Sequence, residues 1–393
     1  MNKKVLSLIM VLFSVILLGK AQETSRIKIK GTVTDASTGE PVPFANLGVV
    51  GTLAGVASDM DGAFELLLPG AYADKKLRVS VVGYAPYDIK VTDAAAKEEG
   101  WKIALQPVTY AIQQVNVNAQ SLVYRKMLKQ AVENIGRNYF ASPYNYRGYF
   151  QYQVSGNDAP VASKEAIVTL YDSKGYNRSN TETAFKELHY RYDEVRRNKE
   201  PESVLDGLTY FDDILTADVV RHTRNILDAD NIRDYKLSNK GRLLFEGDSV
   251  QVIGYEVNKP SLSTTGSAGV SKCSGEIYIN LKDYAVLKNT MHLSASDYSR
   301  LGRNLIPAGD YKTGAVDMTI TTNYKKLESR YFLSGITLSY TYGKGEDKVS
   351  GKMLYVTTQV SARDPEAVTG RMYYEDIRPN PKFWDNYTVY FKN

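Results

Sequence analysis

Apolar and polar residues alternate with a period of two early in the chain. Ile27, Ile29, Gly31 and Val33 alternate with Lys28, Lys30, Thr32 and Thr34, which predicts a strand with one buried and one wet face. Thr38, Gly39, Glu40 and Pro41 then supply the positive-φ and fixed-φ residues of a reversal, and PVPFANLGVVGT resumes an apolar strand. In SDMDGAFELLL the pair Asp61-Gly62 lies between two apolar runs, which predicts a hairpin with Gly62 at positive φ. LRVSVVGYAPYDIKV adds two short strands broken at Gly83 and Pro86, and WKIALQP with YAIQQVNVNA closes this first module near Ala119.

The period changes at Ser121. In SLVYRKMLKQAVENIG the residues Tyr124, Leu128, Ala131 and Ile135 share one helical face, with Ser121 as cap and Gly136 as stop. An aromatic loop with Pro143 leads to a strand starting near Tyr146. Residues 181–199 are read as a strand, although Phe185, Leu188, Tyr192 and Val195 also suit a helix. Residues 205–227 carry the stripe Leu208, Phe211, Leu215 and Val219 of one or two amphipathic helices. From Asp234 onward the chain reads as antiparallel strands. In YFLSGITLSYTY one face carries Phe332, Ile336, Leu338, Tyr340 and Tyr342, the other Tyr331, Leu333, Thr337, Ser339 and Thr341. That pattern predicts a sheet covered on one side. The fold expected is mainly β: a β-sandwich over residues 22–120, then an α+β unit over 121–393 with a large curved antiparallel sheet and a few helices. The two units are expected to fold separately, with specific recognition carried by the second.

GTVTDASTGEPVPFANLGVVGT, GVASDMDGAFEL and VSVVGYAPYDIKV together resemble the carboxypeptidase-regulatory-like domain found at the N-terminus of SusC-type TonB-dependent receptors and other envelope proteins. The resemblance spans residues 27–117 and implies a seven-stranded, transthyretin-like sandwich facing the periplasm, an accessory module without catalytic residues. A receptor would continue into a plug and a barrel of about 22 strands; residues 121–393 are too few for both. The second unit faintly resembles the half-barrel of LolA-like lipoprotein carriers, with IYINLKDYAVLK as one of its hairpins. A small outer-membrane barrel is the rival architecture.

MNKK, the apolar run 5–18 and Gly19-Lys20-Ala21 have the pattern of a secretory signal, with cleavage expected after Ala21. Export then places the protein in the periplasm or against the outer membrane, with no transmembrane helix after cleavage. Removing Lys3, Lys4 and Lys20 lowers the formal charge from +5 to +2, too little to suggest nucleic acid as a partner. With Cys273 as the single cysteine, the exported chain must be held by its core rather than by intramolecular disulfides.

Candidate chemistry is sparse, and no catalytic, metal or cofactor-binding residue is assigned. His189, His222 and His292 belong to no HExxH and lack the spacing of zinc ligands. Asp59-x-Asp61-Gly62 has Ala57 where a calcium loop needs its first acid. GKGEDKVSGK has Glu346 and Met353 where a phosphate loop needs Gly and Ser or Thr, so it reads as a charged hairpin tip. Cys273 follows a small-residue stretch read as a mobile loop, far in sequence from any His or Asp partner. The excess is in tyrosine: 30 in the chain, 26 of them beyond the first module. Most suit a half-buried sheet, and a Tyr- and Phe-lined curved sheet is also a receiving surface for glycan or lipid. The reading is a non-enzymatic envelope protein acting in binding or assembly, its partner an envelope protein, glycan or lipid. A hydrolase with a site in the second unit is the alternative.

Overall fold

The computed structural model describes residues 26–52, 54–97, 100–108, 117–157, 159–179, 187–198, 211–267, 269–295, 315–344, 347–369, 374–384 and 387. The signal-like segment and residues 205–210 of the expected helical section lie outside them. Strands β1 (Arg26–Asp35), β2 (Asn46–Val49), β3 (Gly55–Ala57), β4 (Ala63–Pro69), β5 (Lys76–Ser80), β6 (Tyr87–Lys90) and β7 (Trp101–Leu105) form the first unit. They build a three-stranded sheet in the order β4-β1-β7 and a four-stranded sheet in the order β3-β2-β5-β6, the expected seven strands. Between the sheets lies a core that includes Ile29, Val33, Leu47, Leu66, Val79 and Ile103.

The Asp61-Gly62 reversal differs from expectation in one respect. Gly62 has φ 72° as expected, but β3 and β4 belong to different sheets, so the turn carries the chain across the sandwich instead of closing a hairpin. Asp59 shapes it by accepting the Asp61 and Ala63 N–H groups on one carboxylate oxygen at 3.0 and 2.8 Å, an Asx turn.

Ten antiparallel strands make the second unit: β8 (Tyr144–Gly156), β9 (Ala159–Asp172), β10 (Leu188–Asn198), β11 (Tyr235–Phe245), β12 (Asp248–Val257), β13 (Lys272–Asn280), β14 (Val286–Ala295), β15 (Val316–Leu327), β16 (Arg330–Lys344) and β17 (Asp347–Ser361). Their order is β10-β9-β8-β17-β16-β15-β14-β13-β12-β11. Because β17 returns to pair with β8, the first and last strands of the unit meet in mid-sheet. Its ends, β10 and β11, do not pair with each other among the described residues. The sheet is curved and open, which sets aside the closed barrel. No described helix is long and apolar enough to cross a membrane.

One face of this sheet is covered by the helices Val117–Glu133, Ile135–Asn138 and Phe211–Thr216. The apolar stripe is as read: Tyr124, Leu128, Ala131 and Ile135 are all buried. Its ends are not. The helix begins at Val117, so Ser121 is inside it, and it breaks at Asn134, whose side-chain amide turns back to the Gln130 carbonyl at 2.8 Å while Gly136 sits in the next short helix. Phe211, Leu215 and Val219 are buried as the stripe requires, but helix continues only to Thr216. Residues 188–198 form the expected strand.

Candidate functional site

The face expected to stay wet is buried. From Tyr331 to Leu338 every residue of β16 is buried, because the sandwich and a C-terminal segment lie on that side. Phe44, Ala57 and Met60 of the first unit share a cluster with Tyr149, Ile167, Leu354 and Val356 of the sheet and with Trp384. The neighbours Phe150, Ala166, Val168 and Tyr355 point to the opposite, helix-covered face, so the period-2 alternation of β8, β9 and β17 is intact with both faces dry.

Phe44 is the knob of this contact. It has φ 62°, a left-handed conformation that costs a non-glycine residue about 1–2 kcal/mol. Ser58, fully buried, holds the bend: its hydroxyl accepts the Ala45 N–H at 2.9 Å and donates to the Val42 carbonyl at 2.7 Å. The hole is Gly335, where a Cβ would stand 2.3 Å from the Phe44 ring. Around it, Asp61 lies 4.0 Å from Lys352, Lys288 donates to the Val82 carbonyl at 3.4 Å, and Lys325 donates to the Asn46 side-chain oxygen at 2.9 Å.

Beside this contact a cleft of about 420 Å³ opens between the units, within the size range of small-molecule sites. The sandwich contributes Phe44, Asn46, Ser80, Val81 and Val82; the sheet contributes strands β11 to β16, with Lys282, Lys325 and Lys326 as its basic residues and Glu246 and Asp248 as its acids. Lys282 reaches Asp248 at 3.3 Å, and Asn280 also donates to that carboxylate at 3.0 Å. The Asn280 hydrogen bond, then Lys282, hold Asp248 below its ordinary value. Lys326 pairs with Asp283 at 3.3 Å and lies 4.9 Å over the Tyr331 ring. Burial pushes the Lys325 ammonium down to about 7, against the opposing charge of Glu246. A bulge aims these side chains. Asn323 pairs with Gly335 but Tyr324 with Leu333, so Ser334 is the extra residue, and its hydroxyl satisfies the Asn323 carbonyl at 3.1 Å.

Many of the second unit's tyrosines are core, in keeping with the structural origin expected for most of them. Tyr139, Tyr144, Tyr146, Tyr152, Tyr235 and Tyr355 are each less than 2% exposed. Ring centroids lie 4.4 Å apart for Tyr144 and Tyr146 and 4.9 Å for Tyr139 and Tyr176. Against them, residues 217–228 are pinned by a buried polar network. Arg221 donates to Asp172 at 2.8 Å, Glu187 at 2.6 Å and Ser179 at 2.7 Å; Asp218 accepts the Tyr324 hydroxyl at 2.5 Å. Burial raises both Asp172 and Asp218, with Arg221 opposing the first and Tyr324 the second.

His189, His222 and His292 fall on β10, in the pinned segment and on β14, and no group of three His, Cys, Asp or Glu that could hold a metal occurs among the described residues. Cys273 is not in a loop. It is a buried residue of β13, and burial pushes its thiol up to about 12, because the small-residue stretch before it folds as a capped turn at Leu262–Thr265 with Ser261 at the N-cap.

Residues 29–117 match the model of the CarboxypepD_reg-like domain, which identifies the sandwich as a module of that class. No curated protein matches the chain. Among solved structures, a LolA superfamily protein from Nitrosomonas europaea is similar at 12% identity and a TM-score of 0.23, over 64% of this chain and 96% of that one. A DUF1329 family protein from Desulfovibrio piger is similar at 8% identity and a TM-score of 0.25, over 65% of this chain and 96% of that one. Likenesses this remote carry no argument about what the chain does.

Proposed function

We propose that this is a non-enzymatic cell-envelope protein that works by binding, and that its site is the cleft between the CarboxypepD_reg-like module and the ten-stranded sheet. The observation that carries this is the construction of the cleft. Its walls come from two units, its size suits a small ligand, and it mixes apolar side chains with amides, hydroxyls and lysines. The signal-like N-terminus and the kind of module support a place in the periplasm or at the inner face of the outer membrane. The ligand class is a lipid or glycan component of the envelope.

The test is photocrosslinking in intact cells, with a photoreactive residue at Ser80 or Lys282 in the cleft and, as control, at exposed Lys102 on β7. Capture of an envelope lipid, glycan or protein from the cleft positions alone supports the reading. Equal capture from Lys102, or none from the cleft, overturns it.

A further inference from the structure

We propose that the cleft binds a neutral saccharide unit, held by the Asn323 carboxamide on the sheet wall and the Ser80 hydroxyl on the sandwich wall; this rests on the cleft being the binding site. Asn323 selects the ligand. It is only 8% exposed and lines the cleft, yet its carboxamide makes no hydrogen bond among the described residues. Its direction follows from its neighbours. On β15 it pairs with Lys288 of β14 and Gly335 of β16. Both of these meet the sandwich, Lys288 at the Val82 carbonyl and Gly335 at the Phe44 ring, so Asn323 points at the sandwich as well. A carboxamide so far from bulk water costs stability while it lacks partners. A ligand that offers it both a donor and an acceptor removes that cost.

Across the cleft, Ser80 stands opposite Asn46 in the register of β5 and β2, so the two side chains share one face. Asn46 is engaged by Lys325, whereas the Ser80 hydroxyl makes no hydrogen bond among the described residues. The cleft's lysines are all engaged. Lys282 pairs with Asp248 and Lys326 with Asp283, while Lys325 holds Asn46 and the nearby Lys288 holds the Val82 carbonyl. An anionic ligand would have to break these contacts. Glu246 is exposed to solvent, where one carboxylate holds a cation weakly. The groups left unanswered in the walls are therefore neutral: an amide with two donors and an acceptor, and a hydroxyl. Phe44, Val82 and Leu287 add an apolar patch beside them. A pyranose fits this lining, because its hydroxyls both donate and accept while its C–H face is apolar. A plain hydrocarbon chain would leave the Asn323 amide unpaired.

The experiment is saturation-transfer NMR, with titration, of the full-length protein. The probes are the methyl and octyl glycosides of glucose, galactose, mannose and N-acetylglucosamine, with 1-octanol and N-acetylalanine methylamide as probes of other chemistry. At least one methyl glycoside is expected to bind, with saturation strongest on the protons of one ring face. An octyl glycoside that binds more tightly than both its methyl counterpart and 1-octanol supports the saccharide as the head of a glycolipid; equal binding of the methyl and octyl forms supports it as part of a glycan. Asn323→Leu should weaken the glycoside about tenfold or more, since donor and acceptor are lost together, and Ser80→Ala about threefold. Neither variant removes a hydrogen bond made within the described residues, and circular dichroism checks that both fold. Binding of 1-octanol or N-acetylalanine methylamide, with no methyl glycoside bound and no gain of an octyl glycoside over 1-octanol, overturns the saccharide and leaves the cleft reading standing. Failure of every probe overturns the cleft reading as well. A glycoside affinity unchanged in Asn323→Leu removes Asn323 from the site and overturns the assignment.

Discussion

Placing a methyl group at Gly335 tests whether the two units are held in one arrangement. The ideal Cβ would stand 2.3, 2.6 and 2.9 Å from three atoms of the Phe44 ring, whereas carbon atoms settle at about 3.5–4.0 Å. The ring must therefore retreat by roughly 1 Å. It has little room: Phe44, Ala57, Met60 and Trp384 are each 7% exposed or less and pack in one cluster. Overpacking of such a site costs about 1–3 kcal/mol, and full expulsion of the ring would forfeit about 1.5–3 kcal/mol of burial, so Gly335→Ala should destabilise by about 1–3 kcal/mol by either route. Phe44→Gly supplies the control. It removes the ring and relieves the positive φ, so in that background Gly335→Ala should cost less than about 0.5 kcal/mol. Denaturant unfolding of the four proteins, followed by circular dichroism and tyrosine fluorescence, measures the cycle. Equal penalties in both backgrounds, or no penalty in either, would refute the knob-and-hole contact.

Gly62→Val should destabilise the sandwich by about 2–4 kcal/mol, because a left-handed conformation is imposed on a β-branched residue and its Cβ would stand 2.2 Å from the Val33 carbonyl oxygen, the acceptor of the Val42 N–H; an unchanged melting temperature contradicts this. For Asp59, burial pushes the carboxyl up to about 6 from an ordinary 3.8. The folded state thus favours the protonated acid, and this contribution is whole below pH 4 and lost as pH rises through 6. Asp59→Asn keeps an oxygen for the Asp61 and Ala63 N–H groups, so it should gain about 1–3 kcal/mol at pH 7 and nothing at pH 3.5; a pH-independent difference between pH 3.5 and 7 rules out this titration. Cys273, with its thiol pushed up to about 12, should react with a maleimide at pH 8 about a thousandfold more slowly in the native protein than in urea, and comparable rates would place it at the surface.

The sandwich was legible because each of its signals is local. A period of two, a glycine where φ must be positive and a proline after it act over a few residues, and Gly39 and Gly62 both have positive φ. Which strands would pair was less so: an Asp-Gly turn reverses the chain whether it joins partners in one sheet or passes to the other, and only the packing of the two sheets decides. The helix stripe Tyr124, Leu128, Ala131 and Ile135 was legible for the same local reason, while its ends depended on Asn134 turning its side chain onto Gln130. In YFLSGITLSYTY a strict alternation puts Leu333 on the face opposite Ile336, yet both lie in the core on the helix-covered side. The cause is Ser334, the bulge residue, since one extra residue in a strand exchanges the faces of everything beyond it.

The cleft had no signal of its own in the sequence, and the reason is physical. Each unit has a core that accounts for most of its apolar pattern, and the sandwich residues left for the contact, Phe44, Ala57 and Met60, read in sequence as ordinary apolar positions. What joins them is a phenylalanine at positive φ with Ala57 and Met60 beside it, a glycine with no side chain and lysines that read as ordinary surface charge. None of these departs from pattern in its own neighbourhood. Phe44 looks like one more apolar residue after a proline, and Lys325-Lys326 like the wet end of a strand. They become distinctive only together, when Phe44 closes on Gly335 and brings Asn46 to Lys325. The same closure buries the amine, lowers its proton affinity and frames the space beside it, so the chemistry of the site is a property of the docking and not of either unit. The contact itself joins an apolar cluster, Phe44, Ala57 and Met60 against Tyr149, Ile167, Leu354 and Val356, to a few polar bonds at its margin.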